Sequence, residues 1–403
     1  MNKIYLDHSA TTPVDQEVLQ KMLPFFSEKF GNASSIHSYG QEAFMALDGA
    51  RNQVADFLNC DSEEVIFTSG ATESDNLAVF GIADRLIKEG RNISDLHFIT
   101  TSVEHPAIEE PFLKLQQRGA EVTFLPVQSN GVVDLEVVRN LIKKNTVLVS
   151  VVYVNSEVGA RQPITEIGSL LQEIKEKRIT NSDNTFPLYF HTDAVQAGNF
   201  FSCDVEELKV DLLSLSGHKV YGPKGVGALY VKKGAKLVGQ QIGGHQENNL
   251  RSGTYNIPGI VGMAEALMLA KANREKNNSH LRKLQKKMIE GIKKNIPQSF
   301  LNTDIDNASP SHIHFAFPGA EGEAVLMELD MAGICVSTGS ACASSSLKAS
   351  PTLNAMGVPK DIIHGAIRIT LGKNNTEEEV DKVLEVLPQV IAKYREMSPV
   401  NFR

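Results

Sequence analysis

The sequence predicts an α/β protein: a mainly parallel sheet with helices on both faces, followed by a smaller α+β unit. Three observations predict it. From Val65 onward, short β-branched or apolar runs alternate with segments of helical period, the pattern of βαβ units. After about Pro258 the texture changes to long, charged helical stretches. The chain's 403 residues, 42% of them hydrophobic and 22% charged, match a soluble globular protein large enough for more than one core. The expected division is an N-terminal segment, 1–15, packing with the small domain; a large domain, 16–257; and a small C-terminal domain, 258–403.

Taken in order, Phe44, Leu47, Val54 and Leu58 recur at helical spacing, and strands are expected at 65–68, 98–101, 121–126 and 146–154. A helix with Ile164, Ile167, Leu171 and Ile174 on one side leads into a polar stretch, 175–187, that reads as an exposed insertion. Strands follow at 188–191, 210–215 and 227–231. Two charged helical stretches run to about Asn295. Beyond them lie a strand at 312–317, a helix at 323–331, a Ser-rich loop, a strand at 366–371, and a last helix opened by the capping box Thr376-x-x-Glu379.

Several function classes are excluded at this level. Lys and Arg total 40 against 48 Asp and Glu, a formal charge of -8 with no long run of one sign, so nucleic acid is not an expected partner. The strongest apolar run, 147–154, is far below the ~18 residues a spanning helix needs, and no secretory h-region forms before Asp7 and His8. A membrane role is not expected. Cys60, Cys203, Cys335 and Cys342 form no C-x-x-C pair, which predicts a reducing, cytoplasmic setting and no metal site.

Ligands of open α/β sheets bind outside the carboxyl ends of the strands, and the polar residues gather there. Ser69-Gly70-Ala71-Thr72 turns from a strand into a helix, either an anion site for a phosphate or an ordinary N-cap. Asp193 ends another strand, where it either holds a protonated ring nitrogen or caps a helix; Gln196 is within reach of a neighbouring oxygen. An apolar strand delivers Ser216, Gly217, His218 and Lys219 into a glycine-rich turn, where a lysine amine can be desolvated toward its neutral, nucleophilic form. Lys224 in the same loop reads as a surface charge. Small residues flank Cys342, as suits a reactive thiol, whereas Cys335 reads as a buried hydrophobe. Arg368, alone in an apolar strand, either clamps a carboxylate or makes a structural salt bridge. His105 stacks on a ring or caps a helix.

Together these segments resemble the cysteine desulfurases of the class V aminotransferase family, fold type I pyridoxal phosphate enzymes, in the group of nitrogen-fixation and housekeeping iron-sulfur desulfurases. The matching landmarks are 5–13 (YLDHSATTP), 31–37 (GNASSIH), 67–76 (FTSGATESDN), 104–105 (EH), 191–196 (HTDAVQ), 216–219 (SGHK), 251–254 (RSGT), 339–342 (GSAC) and 368–372 (RITLG). The resemblance implies a pyridoxal 5'-phosphate cofactor bound covalently through Lys219, with His105 stacked on its ring, Asp193 on its nitrogen and Gln196 on its phenolic oxygen. Its phosphate would be held by Ala71, Thr72, Ser216 and His218, with Thr254 reaching in from the partner subunit of a homodimer. Arg368 would bind the substrate carboxylate beside Asn155. L-cysteine would lose its Cα proton to Lys219, and the Cys342 thiolate would take the sulfur as a persulfide for an acceptor or iron-sulfur scaffold protein, leaving L-alanine.

Three departures from the family pattern stand out. Ser156 replaces the asparagine that faces the cofactor in the family's Asn-Asn-Glu-Ile-Gly motif, which shortens that contact. Asn248 stands in place of an arginine near the dimer-side rim, and the tail, 398–403, is shorter than that of scaffold-docking housekeeping members. The first two make a selenocysteine lyase or another class V enzyme with a different amino-acid substrate the alternative. A non-catalytic sulfur carrier is a third reading, opposed by the joint presence of Lys219, Asp193, His105, Cys342 and Arg368.

Overall fold

A computed structural model describes residues 3–180, 186–338 and 349–398. After a short strand β1 (Ile4–Tyr5), seven strands build the main sheet: β2 (Val65–Thr68), β3 (His97–Thr101), β4 (Glu121–Leu125), β5 (Thr146–Ser150), β6 (Tyr189–Asp193), β7 (Leu212–Ser216) and β8 (Gly227–Val231). Their order is β2-β8-β7-β6-β5-β3-β4. The sheet is mainly parallel, as expected; only β8 runs antiparallel to its two neighbours.

Helices cover both faces, which is why the central strands read as unbroken apolar runs. Successive side chains of β2 show the arrangement. Val65 and Phe67 join the core that includes the helices Ser38–Leu58 and Ile164–Thr180, while Ile66 joins the core of the other face, which includes Ala71–Lys88 and Pro106–Gln117.

A second sheet, in the order β12-β10-β9, is antiparallel and made of β9 (Phe300–Leu301), β10 (His312–Ala316) and β12 (Ala366–Thr370). The strand β11 (Ile334–Cys335) pairs in parallel with β1, so the first residues of the chain join the second core, where Leu6 is fully buried. The capping box forms: the Glu379 N–H donates to Thr376 Oγ1 (3.3 Å) and the Thr376 N–H to Glu379 Oε2 (3.1 Å).

Three elements differ from the sequence expectation. The two charged stretches after Pro258 are one helix, Ile257–Asn295. Its ends are anchored in different cores, Ile260 to Leu267 in the first and Leu281 to Ile292 in the second, so its polar middle needs no buried stripe. The first part of the supposed insertion is the last turn of the helix Ile164–Thr180. There Arg178 is buried and donates to the carbonyls of Lys143, Thr146 and Phe186, which makes it a structural residue; 181–185 lie outside the described residues. The strand expected over 146–154 ends at Ser150, though the N–H groups of Val151 and Tyr153 still bond to the carbonyls of His191 and Asp193. Among the described residues no helix is long and apolar enough to cross a membrane, and no cluster of potential metal ligands occurs.

Candidate active site

A cavity of about 760 Å³ opens at the carboxyl ends of the central strands and is closed on one side by residues 9–11 and on another by Arg368. At one end, β2 runs through Ser69 and Gly70 into the helix Ala71–Lys88, whose first backbone N–H groups have no intrahelical acceptor. β8 comes close enough to support this turn only because residue 227 is glycine: a Cβ there would lie 2.7 Å from Gly70 Cα. Thr68 Oγ1 and Ser74 Oγ hydrogen bond at 2.9 Å beneath the turn. Glu73 accepts from the Ser69 N–H (2.7 Å) and from Arg251 Nε (2.9 Å); against the effect of burial, these bonds hold its carboxyl below the usual range.

β7 ends at Ser216 and passes into the short 3-10 turn Gly217–Lys219. His218 Nδ1 lies 3.1 Å from Thr11 Oγ1. Burial, with Lys219 and Lys224 nearby, pushes its imidazole down to about 4, so at neutral pH it is uncharged. Lys219 Nζ donates to the carbonyls of Ser9 (2.5 Å) and Ala10 (2.7 Å). Gln196 Nε2 donates to the same Ser9 carbonyl at 2.9 Å.

Asp193 closes β6 at the cavity floor, where Oδ1 accepts the Val195 N–H at 2.9 Å. Burial raises its carboxyl, and the nearby His105 and Lys219 act in the other direction. His105 caps the helix Pro106–Gln117, with Nδ1 accepting the Ala107 N–H at 3.1 Å, which leaves the proton of the neutral ring on Nε2. Its imidazole is lowered, chiefly by burial.

At the other end, Arg368 donates through Nη2 to Asp7 Oδ1 (2.7 Å) and through Nη1 to the Ser156 carbonyl (3.0 Å), to which Ser9 Oγ also donates (2.7 Å). Asn155 Oδ1 accepts the N–H groups of Glu157 and Val158, and its Nδ2 donates to the Val103 carbonyl (3.0 Å), so its amide shapes the turn that carries Ser156.

Ala71, Thr72, His105, Asn155, Ser156, Asp193, Gln196, Ser216, His218, Lys219 and Arg368 therefore line one cavity. Thr254 does not. It lines a separate cavity of about 140 Å³ with Lys29, Phe30 and Tyr255. Cys342 lies outside the described residues. On either side of 339–348, Ser337 exchanges backbone hydrogen bonds with Arg368, and Ser350 Oγ donates to Glu157 Oε2 at 2.8 Å.

Some cavity residues were not singled out from sequence. Glu104 Oε1 accepts from Thr101 Oγ1 (2.8 Å) and the Val152 N–H (2.9 Å), and burial pushes its carboxyl up to about 8. Asp75, 3.6 Å from His191, is raised well above the usual carboxylate range by burial and by the charge of Asp193. Asp75 in Ser-Asp-Asn-Leu and Glu104 in Val-Glu-His-Pro stand among polar neighbours in the sequence, which gives no local signal of their burial. Ser9 and Ala10 contribute carbonyls, for which side-chain identity gives no signal.

The arrangement offers an anion cradle, a buried acid, an uncharged imidazole, an amine and a carboxylate-binding guanidinium around one space. The model of the aminotransferase class-V family matches residues 4–383. The chain belongs to this family. Within it, the chain is similar to cysteine desulfurase IscS of Clostridium botulinum strain Hall, at 47% identity over 99% of this chain and 97% of that protein. A protein of the same name from Methanosarcina thermophila is 46% identical over 99% of this chain and 94% of its own length. Among solved structures, a NifS-like protein superposes with a TM-score of 0.88 at 37% identity, covering 97% of this chain and 100% of that one. SspA in complex with cysteine superposes with a TM-score of 0.77 at 33% identity, over 93% of this chain and 100% of that one. The class-V assignment agrees with the mainly parallel sheet and its smaller antiparallel companion.

Proposed function

We propose that this chain is a cysteine desulfurase that holds pyridoxal 5'-phosphate in the cavity and converts L-cysteine to L-alanine, with Cys342 receiving the sulfur. The carrying observation is the convergence of Lys219, Asp193, His105 and the N-terminus of the helix Ala71–Lys88 on one cavity that has Arg368 at its far end. These residues fit the cofactor: the turn at Gly70 to Thr72 with Ser216 and His218 would take the phosphate, Asp193 the ring nitrogen, His105 the ring face, and Gln196 the phenolic oxygen. When bound, the cofactor supplies an electron sink for the charge that develops at the substrate Cα.

The protein's own groups do the rest. Arg368 binds the substrate carboxylate in a bidentate geometry, with Asn155 and Ser156 forming the wall beside it. Lys219 would hold the cofactor in the resting enzyme, and its free amine takes the Cα proton and later returns one. The carbonyls of Ser9 and Ala10 are placed to hold that amine while it carries the charge. The Cys342 thiolate attacks the substrate sulfur: the S–S bond forms, the Cβ–S bond breaks, and Cβ takes the electron pair and a proton. The persulfide then passes to an acceptor protein of iron-sulfur or thio-cofactor synthesis.

A homodimer belongs to the same reading. Thr254 lies away from its own chain's cavity, beside Phe30, whose ring lies 5.4 Å from that of Tyr39; both are exposed, as are Phe26, Ile36, Phe44 and Met45 in the same stretch of sequence, apolar surface of the kind a second copy covers.

The test is to incubate the cofactor-loaded protein with L-cysteine and a thiol reductant and to quantify alanine and sulfide. Equal amounts of both, lost in Cys342→Ala while the yellow cofactor stays bound, are expected. Sulfide release undiminished in Cys342→Ala would sink the proposal, and turnover of selenocysteine but not cysteine would move it to the alternative substrate.

A further inference from the structure

Arg368 is held in place by its backbone before its side chain is considered. It sits in the middle of β12, opposite His314 of β10, and on its other edge it exchanges N–H···O bonds of 2.7 and 3.1 Å with Ser337. The side chain is only 4% exposed and makes its 2.7 Å ion pair with Asp7, itself 20% exposed. Asp7 is equally fixed. It follows β1, bridges to Thr370, accepts the Tyr5 hydroxyl and the Ala10 N–H on its carbonyl, and is preceded by the fully buried Leu6.

An arginine that recognises a carboxylate through two parallel N–H bonds must present its planar fork in one orientation. A long side chain held by one end alone keeps its rotamer freedom. Here the Ser156 carbonyl takes Nη1 and the Asp7 carboxylate takes Nη2, two contacts on different nitrogens that define the plane. The Ser156 carbonyl holds one nitrogen, and the acceptor on Nη2 supplies the second point that the plane needs.

We propose that Asp7 is a positioning residue for carboxylate recognition: by pairing with Nη2 it sets the plane in which Arg368 meets the carboxylate of an amino acid in the cavity. The inference rests on the reading of the cavity as a pyridoxal phosphate site for amino acids. It does not require the sulfur chemistry.

The experiment titrates the cofactor-loaded, full-length protein with L-alanine and with ethylamine, the same amine without a carboxylate, following the cofactor's absorbance. In Asp7→Ala the preference for L-alanine over ethylamine is expected to fall about tenfold through weaker L-alanine binding alone, and KM for L-cysteine to rise by a similar factor with kcat within about twofold. Asp7→Asn, whose amide oxygen can accept the same bond, is expected to retain the preference to within about threefold, and it guards against misfolding of the alanine variant. A preference unchanged in Asp7→Ala overturns the proposal. So does an equal loss of affinity for both amines, which would report general damage to the site. Failure of the wild type to release alanine from L-cysteine would instead strike the desulfurase reading, since the amine titration does not depend on sulfur transfer.

Discussion

Glu104 precedes His105 in the chain, yet the two acquire opposite surroundings. The imidazole caps a helix at the cavity, and the carboxyl is enclosed beneath it against Thr101 and Val152. With its folded value raised from 4.5 to about 8, Glu104 retains in the folded chain a proton that the unfolded chain releases, so stability falls as pH rises through that window. Glu104→Gln has the shape of the protonated acid and does not ionise. The expected result in thermal melts of the cofactor-free protein is a smaller drop in Tm from about pH 6 to about pH 8 than in the wild type, with equal Tm values near pH 5. His191, lowered to about 3 by complete burial, has the opposite sign and weakens the fold as pH falls below its unfolded value. Lys219, Asp193 and Arg368 were legible as cavity residues because charged residues are rare in and beside apolar strands: Asp193 ends β6, Lys219 lies in the turn after β7, and Arg368 stands alone in the middle of β12. The carbonyls of Ser9 and Ala10 were not legible as wall residues, because nothing local marks where a backbone oxygen will point.

The turn after β2 depends on what its neighbour lacks. A Cβ at residue 227 would lie 2.7 Å from both Gly70 Cα and the Leu215 carbonyl, and neither the turn nor the β7 backbone can give way cheaply. Gly227→Ala is therefore expected to displace the anion cradle and to weaken binding of pyridoxal phosphate to the stripped protein at least about tenfold, read by absorbance titration, a loss of roughly 1.4 kcal/mol. A variant that binds as the wild type does would show that the turn is not the phosphate site. Element boundaries were legible where period and caps agreed, as in β8 and the helix opened by Thr376. They were not legible where a segment serves two partners. The polar middle of Ile257–Asn295 carries no continuous apolar stripe, and it is helical because both ends are held.

That helix couples the whole molecule. Leu267 is fully buried in the first core and Leu284 in the second, on one continuous hydrogen-bonded rod. Leu→Ala at either position is expected to cost about 2–5 kcal/mol and, because neither core can release its end of the rod alone, to lower one shared calorimetric transition. Two separated transitions in Leu284→Ala would show that the cores melt independently. The short run after β1 has a consequence in time. The Ser9 N–H meets Thr370 Oγ1 across 361 residues of chain, and β1 finds its partner only in β11. Contacts of such sequence separation form late, since the loop they close must be ordered first. During synthesis the ribosome delivers Lys219, Asp193 and the turn at Gly70 long before Thr370 appears. The first residues translated are therefore among the last to be fixed, because their partners, β11 and Thr370, leave the ribosome after every strand of the main sheet.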